Sequence, residues 1–220
     1  MSLRRRLLGM QFTDGLLYKT IVLLLLISFS YIYLYPMLFM LTNSFMNVED
    51  LINPGVKWIP TVVEIENYRR AVQVLELPSA IFSSTSYVLR VSLSATVSSA
   101  LIGYGFATFN FPLKKILFAL MLATFILPSQ VTMVANMLIF RNLGIMSTEQ
   151  SMILPAIFGQ GYNAAIYILI FYQFFKTIPS VLRESAEIDG ATPFKVFYKI
   201  ALPLAIPSLL IVFLFSFEFE

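Results

Sequence analysis

Five long apolar runs alternate with polar segments along the chain. Their approximate bounds are 21–41, 81–109, 116–140, 151–175 and 202–218. A helix needs about 20 mainly apolar residues to cross the hydrocarbon core of a bilayer, and only a structure that closes its own backbone hydrogen bonds is stable there. The pattern therefore predicts an all-α fold, a polytopic membrane bundle of about five spanning helices.

The first run, 21–41, has no charged residue and follows an arginine-rich segment that ends at Lys19. It is longer than the apolar core of a cleaved signal peptide, which has about 7 to 15 residues, and no small-residue cleavage motif follows it. We therefore interpret the run as an uncleaved signal anchor rather than a signal peptide. Residues 1–20 are then a cytoplasmic N-terminus, and residues 21–220 form one transmembrane domain.

The distribution of Lys and Arg predicts the orientation, because cytoplasmic loops are enriched in these residues. With the N-terminus inside, the cytoplasmic side has Arg4, Arg5, Arg6, Lys19, Lys114, Lys115, Lys176, Arg183, Lys195 and Lys199, and the outer side has Lys57, Arg69, Arg70 and Arg141. The sequence therefore predicts a multi-pass protein of the cell membrane with a cytoplasmic N-terminus and a cytoplasmic loop at 176–203.

The segment between the first two runs, 42–79, is polar and is interrupted by prolines. Trp58 and Tyr68 are aromatic anchors of the kind that lies at membrane interfaces. The pattern predicts an outer loop that contains one short helix around Glu66 to Leu75.

Composition limits the chemistry that the chain can perform. Hydrophobic residues make up 58% of the 220 residues and charged residues 12%, and the mean hydropathy is +0.81, which is typical of a protein that has lipid as its solvent. Cys and His are absent, so metal sites built from them and Ser-His-Asp catalysis are excluded. None of the nine glycines precedes a Lys, so no G-x-x-x-x-G-K-[ST] phosphate loop is present. The dispersed basic residues argue against nucleic-acid binding.

The cytoplasmic loop has the pattern of two short helices joined at a corner. Leu182 to Ile188 suits a helix, and Gly190 follows where a left-handed residue closes it. Thr192 is an N-cap residue and Pro193 suits the first helical position, so a second helix is expected to begin there.

The second helix is expected to run to about Leu202 and to end at Pro203. Phe194 and Phe197 are one turn apart, which predicts an apolar face, with Lys195 and Lys199 on another face. The two helices would form a compact elbow that enters a cleft in a partner. The alternative is an amphipathic helix lying on the inner leaflet.

The residues of the elbow also match a known motif. The motif has the form E-A-A, three residues, Gly, nine residues, then I-x-L-P. The chain has Glu184, Ala186, Gly190, Ile200, Leu202 and Pro203 at that spacing, with Ser185 in place of the usual alanine. On these residues the chain resembles the permease subunits of type I ABC importers, specifically the carbohydrate-uptake group with the maltose-type and multiple-sugar permeases.

The resemblance extends over nearly the whole chain. Gln173–Pro179 is similar to the lead-in to the motif, and Ile188–Ala191 is similar to its I-D-G-A core. Three departures stand out. Thr108 replaces an Arg found in many relatives. Arg90 lies in a span that is normally uncharged, and we interpret it as snorkelling to the outer interface rather than as part of a buried functional pair. The family carries six spans, so a chain that ends at Glu220 is expected to be truncated.

The resemblance implies a transport subunit without catalytic residues, cofactors or metal, in which loop 176–203 couples the spans to a partner ATPase that binds ATP and Mg. The implied partners are a second permease subunit in a heterodimer, two ATPase subunits, an extracytoplasmic solute-binding protein and membrane lipid, with no nucleic acid. The residues assigned to coupling are Glu184, Ser185, Ala186, Ile188, Asp189, Gly190, Ala191, Pro193, Phe194, Phe197, Ile200, Leu202 and Pro203.

Polar residues within spans are candidates for a substrate path, because they cost free energy in lipid unless they face a cavity or another helix. These residues are Gln130, Asn136, Gln160, Asn163 and Tyr167. Uncharged hydrogen-bonding groups suit a neutral sugar or oligosaccharide, although hydrogen bonding between helices explains them equally well.

Two other function classes compete with sugar import. A permease of the same type for an amino acid, phosphate or polyamine is one, although the first four runs contain no acidic residue to bind a cationic solute. An ion-coupled secondary transporter is the other, with its site at helices broken near Pro128 or 159–163. A membrane-embedded enzyme is disfavoured, because the spans offer no carboxylate pair for acid-base chemistry.

Overall fold

The computed structural model describes residues 15–219, apart from the side chains of Ser129 and Phe219. Within that range every regular element is helical, which confirms the all-α prediction. The residues expected before Gly15 on the cytoplasmic side, including the three N-terminal arginines, lie outside the described part of the chain.

The helices follow one another with connections that are short except for residues 53–65. They are α1 (Leu16–Ser44), α2 (Val48–Ile52), α3 (Glu66–Val74), α4 (Leu77–Thr108), α5 (Lys114–Ile126), α6 (Ser129–Asn142), α7 (Gln150–Ile157), α8 (Ala164–Thr177), α9 (Ser180–Ile188), α10 (Pro193–Val196), a π-helical segment (Phe197–Ala201), α11 (Leu202–Leu204) and α12 (Ile206–Phe219).

The chain divides into two compact units, Met1–Ala80 and Ile81–Glu220. In the first unit, the 29 residues of α1 extend about 43 Å at 1.5 Å per residue, which exceeds the thickness of a bilayer core. None of its residues is buried, as expected of a helix whose apolar surface faces lipid.

The loop after α1 is more ordered than the sequence indicated. The predicted short helix is confirmed as α3, and α2 is an additional helix that starts at the N-cap Asn47. The buried carboxylate of Asp50 accepts hydrogen bonds from the backbone N–H of Thr61 at 2.9 Å and from its hydroxyl at 2.6 Å. Asn67 Nδ2 donates to the carbonyl oxygen of Met46 at 2.8 Å. These bonds fold the loop into a small module.

In the second unit, α4 is one continuous helix of 32 residues that includes most of the predicted run 81–109. One face of it is buried and is rich in small residues, from Val91 to Gly103. Small side chains allow helix backbones to approach closely, which is how helices associate where lipid removes the hydrophobic driving force. The Cβ of a residue replacing Gly103 would lie 2.6 Å from Phe171 Cβ of α8, so α4 and α8 are in close contact there.

Two predicted spans are not continuous helices. Run 116–140 is divided into α5 and α6, which are bent by 104° at the break. Pro128 lies in that break, and Leu127 before it is extended, because a proline disfavours the helical conformation of the preceding residue. Run 151–175 is divided into α7 and α8 by a segment that contains Gly159 and Asn163, both with positive φ. Both breaks are the ones that the secondary-transporter alternative requires.

By length and composition, α1 and α4 are each able to cross a membrane. The number rises to five if each of three bent helix pairs counts as one span: α5 with α6, α8 with α9, and the segment Pro193–Leu204 with Ile206–Glu218. Five crossings therefore stay a prediction.

Candidate functional site

The two-helix elbow forms as the sequence predicted. Helix α9 begins two residues earlier than expected, at Ser180, and ends before Gly190. Gly190 has φ +78°, a left-handed conformation that glycine adopts without a steric penalty. The N–H of Gly190 donates to Glu187 O at 3.0 Å, and the N–H of Ala191 donates to Ala186 O at 2.9 Å. These bonds satisfy the last carbonyls of α9 and close the helix.

The second helix also starts as predicted. The hydroxyl of Thr192 accepts a hydrogen bond from the N–H of Lys195 at 3.3 Å, and Pro193 occupies the first turn. The helix changes to π geometry at Phe197–Ala201 and continues as α11.

The predicted end of this helix, at about Leu202 to Pro203, is confirmed to within two residues. Pro203 lies within α11, directly after the π-helical segment, and the chain bends by 78° between Leu204 and Ile206.

The corner of the elbow presents apolar and acidic side chains. Ile188 is 87% exposed and Phe194 is 70% exposed, and the two residues lie on either side of Gly190 in the sequence. Glu184 and Asp189 are exposed as well. Among the described residues, no heavy atom outside the two chain neighbours of Gly190 lies within 4 Å of where a Cβ would be, so another surface can approach the backbone there.

The two phenylalanines of the elbow do not share one exposed face, which corrects the expectation for Phe197. Phe197 is only 7% exposed, and its ring centroid lies 4.9 Å from that of Tyr104 in α4 and 6.3 Å from that of Phe175 in α8. Residues three apart on a helix differ by about 60° in direction, so one can face inward while the other faces outward. Phe197 therefore anchors the elbow and is not available to a partner.

Arg183 is a second anchor, which the sequence reasoning did not identify as a site residue. Its Nη1 donates to the carbonyl oxygen of Thr108 at 3.1 Å, and its Nε lies 3.6 Å from Glu187 Oε1. Thr108 is the last residue of α4, where carbonyls have no partner within the helix and attract a cation. The only sequence signal was the basic residue on the short amphipathic α9.

The residues predicted to form a substrate path differ in their exposure. Gln130 and Asn136 are exposed on α6, and Gln160 is exposed in the break after α7. Tyr167 is 2% exposed and packs in the core, so its assignment to an open path is wrong. A tyrosine ring on the inner face of a helix is driven into the core by its apolar area.

Arg90 forms an ion pair rather than snorkelling alone. Its Nη1 lies 2.7 Å from Glu149 Oε2, and the two side chains are 48% and 49% exposed. Arg90 therefore has an acidic partner, and the ion pair is half-exposed rather than buried. It joins α4 to the N-terminal end of α7, because a carboxylate preceding a helix start is within reach of the long arginine side chain.

The described residues contain no cluster of metal-ligating side chains. Among residues 15–219 with described side chains, no group of three or more Asp, Glu, His or Cys could hold a metal ion.

A family model described as "Binding-protein-dependent transport system inner membrane component" matches residues 99–219. A probable ABC transporter permease protein of Pyrococcus horikoshii is 29% identical over 180 residues, which cover 81% of this chain and 64% of that protein. The diacetylchitobiose uptake system permease protein of Streptomyces coelicolor is 27% identical over 193 residues, which cover 88% of this chain and 63% of that protein. The chain therefore spans less than two thirds of the length of these curated relatives.

A solved structure has the same fold. It is a bacterial ABC transporter involved in the import of the acidic polysaccharide alginate, and one of its chains superposes with a TM-score of 0.72 at 18% identity. The superposition covers 99% of this chain and 72% of that chain.

Proposed function

Since the chain belongs to the family of binding-protein-dependent transport system inner membrane components, we propose that it is a membrane-spanning permease subunit of an ATP-driven importer. The resemblance stated from the loop motif is confirmed at the level of the family. The proposed cargo is a sugar or oligosaccharide, moved across the cell membrane into the cytoplasm.

The elbow is the observation that carries this proposal. A glycine in left-handed geometry, with open space around it, lies between the exposed side chains of Ile188 and Phe194. Large exposed apolar groups on a protruding turn are typical of a contact surface. Glu184 and Asp189 add charge that fixes the register of a docked partner. We propose that this partner is the ATPase subunit, which supplies the ATP and Mg that the chain does not bind.

The contacts behind the elbow explain how its movement would reach the spans. Arg183 connects α9 to the end of α4 through the carbonyl of Thr108. Phe197 packs against Tyr104 of α4 and Phe175 of α8. Because close-packed interiors transmit displacement rather than absorb it, a partner that moves the elbow would move α4 and α8 with it.

The cargo class is supported by two kinds of observation. The relative from Streptomyces coelicolor is named for a disaccharide, and the solved structure is described as importing a polysaccharide. In this chain, the exposed amides of Gln130, Asn136 and Gln160 are neutral donors and acceptors, which suit hydroxyl-rich solutes. Asn163, half-buried at the start of α8, completes this set.

The proposed assembly has one second permease, two ATPase subunits and an extracytoplasmic solute-binding protein, with the N-terminus of this chain in the cytoplasm. Because Arg90 pairs with Glu149, those two residues lie on the same side of the membrane. That arrangement agrees with the predicted placement of the segment around Arg141 outside.

Reconstitution tests the proposal. The chain would be co-expressed with its genomic ATPase, second permease and binding protein, and uptake of a panel of neutral oligosaccharides would be measured in proteoliposomes. We expect uptake only when ATP and the binding protein are both present. Uptake that persists without the ATPase and follows an ion gradient would show instead that the broken helices form a secondary transporter.

A further inference from the structure

A cavity of about 500 Å³ lies behind the elbow, between the ends of α4 and α8 and the helices α9 and α10. Three cationic side chains line it, Lys114, Lys176 and Arg183, and no carboxylate does. Asn110, Thr177 and Ser180 add uncharged hydrogen-bonding groups to the lining. The volume falls in the range of about 300–1,000 Å³ that is usual for small-molecule sites.

The contacts of the three cations leave most of their charge uncompensated. Lys114 Nζ donates to Phe109 O at 2.7 Å and Arg183 donates to Thr108 O, but both acceptors are neutral carbonyls. Among the described residues, one of these three cations forms an ion pair: Arg183 with Glu187, at 3.6 Å. Lys176 Nζ lies 5.8 Å from the centroid of the Tyr172 ring. About two positive charges therefore remain at the cavity.

Two further features favour an anion over a neutral ligand. The Nε of Arg183 is buried and makes no hydrogen bond among the described residues, since its ion-pair partner Glu187 Oε1 lies 3.6 Å away, and a buried donor without a hydrogen-bond acceptor is costly. Ser180, at the cavity, is the first residue of α9, whose nine residues direct unpaired N–H groups and the positive end of the helix dipole toward that side. Helix N-termini with lysine and arginine are typical binding sites for phosphate groups.

We propose that this cavity binds a phosphate-bearing anion. In the predicted orientation the cavity lies on the cytoplasmic side of the membrane, where the acidic phospholipid headgroups of the inner leaflet attract basic residues. Ile178, Leu182 and Ile200 line the same cavity and can contact the glycerol and first acyl carbons of a lipid. A soluble organic phosphate has the same charged group. The inference goes beyond sugar import and uses only the cytoplasmic placement of the loop.

The test uses the complete assembly with its ATPase in nanodiscs. In one arm, the nanodiscs contain phosphatidylglycerol and phosphatidylcholine, and native mass spectrometry measures the phosphatidylglycerol retained. In the other arm, the nanodiscs contain phosphatidylcholine alone, and equilibrium dialysis measures binding of radiolabelled inorganic phosphate. Lys114→Gln and Lys176→Gln are compared with Lys195→Gln, which removes a lysine of the same loop that does not line the cavity.

We expect each cavity variant to bind about tenfold less, because each removes one charge-assisted hydrogen bond to the anion, and Lys195→Gln to bind as the unmodified protein does. Loss in the first arm assigns a lipid, and loss in the second arm alone assigns a soluble phosphate. Binding that is unchanged in both cavity variants, or equally reduced by Lys195→Gln, overturns the proposal. Lys114 donates a hydrogen bond to Phe109 O, whereas no side-chain hydrogen bond of Lys176 is seen among the described residues. Lys176→Gln therefore remains informative if Lys114→Gln disturbs folding. Binding is read independently of uptake, so failure here would leave the transport proposal standing.

Discussion

Substitution of Gly190 separates backbone strain from close approach of a partner. Gly190 has φ +78°, and apart from its two chain neighbours no heavy atom in the described part of the chain lies within 4 Å of a Cβ placed there. In the isolated subunit a substitution therefore costs only the left-handed backbone, about 1–2 kcal/mol for most residues. Asparagine costs less than alanine, because its side chain tolerates this conformation.

If the ATPase docks at Gly190, we expect a different order of coupling among the variants. If the ATPase approaches the glycine backbone, every added atom must displace that surface, so coupling should fall in the order Gly, Ala, Asn, Asp. The strain in Gly190→Ala is already present in the isolated subunit, where about 1–2 kcal/mol corresponds to about a 5- to 30-fold shift away from the formed elbow. Gly190→Asp should abolish uptake, because it also places a third carboxylate beside Glu187 and Asp189 at a contact that excludes water.

Gly144 provides the matched control. It also has a positive φ, +69°, and its Cβ would also lie in open space, but it follows α6 and is far from the elbow in sequence. Gly144→Asp should introduce the same backbone strain and retain transport.

The assays are ATP-dependent uptake and ATPase stimulation by the loaded binding protein in proteoliposomes, with membrane insertion and the thermal midpoint measured for every variant. We expect all variants to insert, with losses of uptake and stimulation confined to position 190. An Asn variant more active than Ala would show that strain alone governs this position. Full uptake by Gly190→Asp would refute the docking argument.

Three further predictions concern the contacts that hold the elbow and α4. Arg183→Gln should leave the ATPase bound in a pull-down but lower uptake per ATP hydrolysed, because the connection from α9 to α4 is weakened; full coupling would contradict this role. Phe197→Ala should remove buried packing worth about 3–5 kcal/mol and lower the thermal midpoint. Phe194→Ala should leave the midpoint unchanged and weaken ATPase binding. The reverse pattern would show that the two faces are misassigned. For Arg90 and Glu149, a double-mutant cycle on thermal stability should give a coupling of about 0.2–1 kcal/mol, as for other half-exposed pairs, and a charge-swapped double variant should be more stable than either single charge reversal.

Much of the candidate site could be predicted because its features are local. The positions of Gly190 and Thr192 predicted the end of one helix and the start of the next, and both were confirmed. A left-handed residue and a side-chain cap act on backbone groups within about four residues. The relevant physics is therefore contained in a short stretch of sequence.

Helix continuity was predicted less well, because apolar composition does not distinguish a straight helix from a broken one. Pro128 and the segment 159–163 interrupt runs whose hydropathy is uniform. Whether a proline breaks a helix depends on the partners available to the freed carbonyls, and those come from the surrounding structure.

The sequence by itself determined the apolar runs, the elbow and the family motif, because each depends on spacing along the chain. Only the tertiary structure decided which of Phe194 and Phe197 faces outward, and which groups pair with Arg183 and Arg90. Thr108 is 75 residues from Arg183, and the partner of Arg90 precedes a different helix. Side chains of equal hydrophobicity or charge are equivalent in sequence, and packing between distant segments is what makes them different.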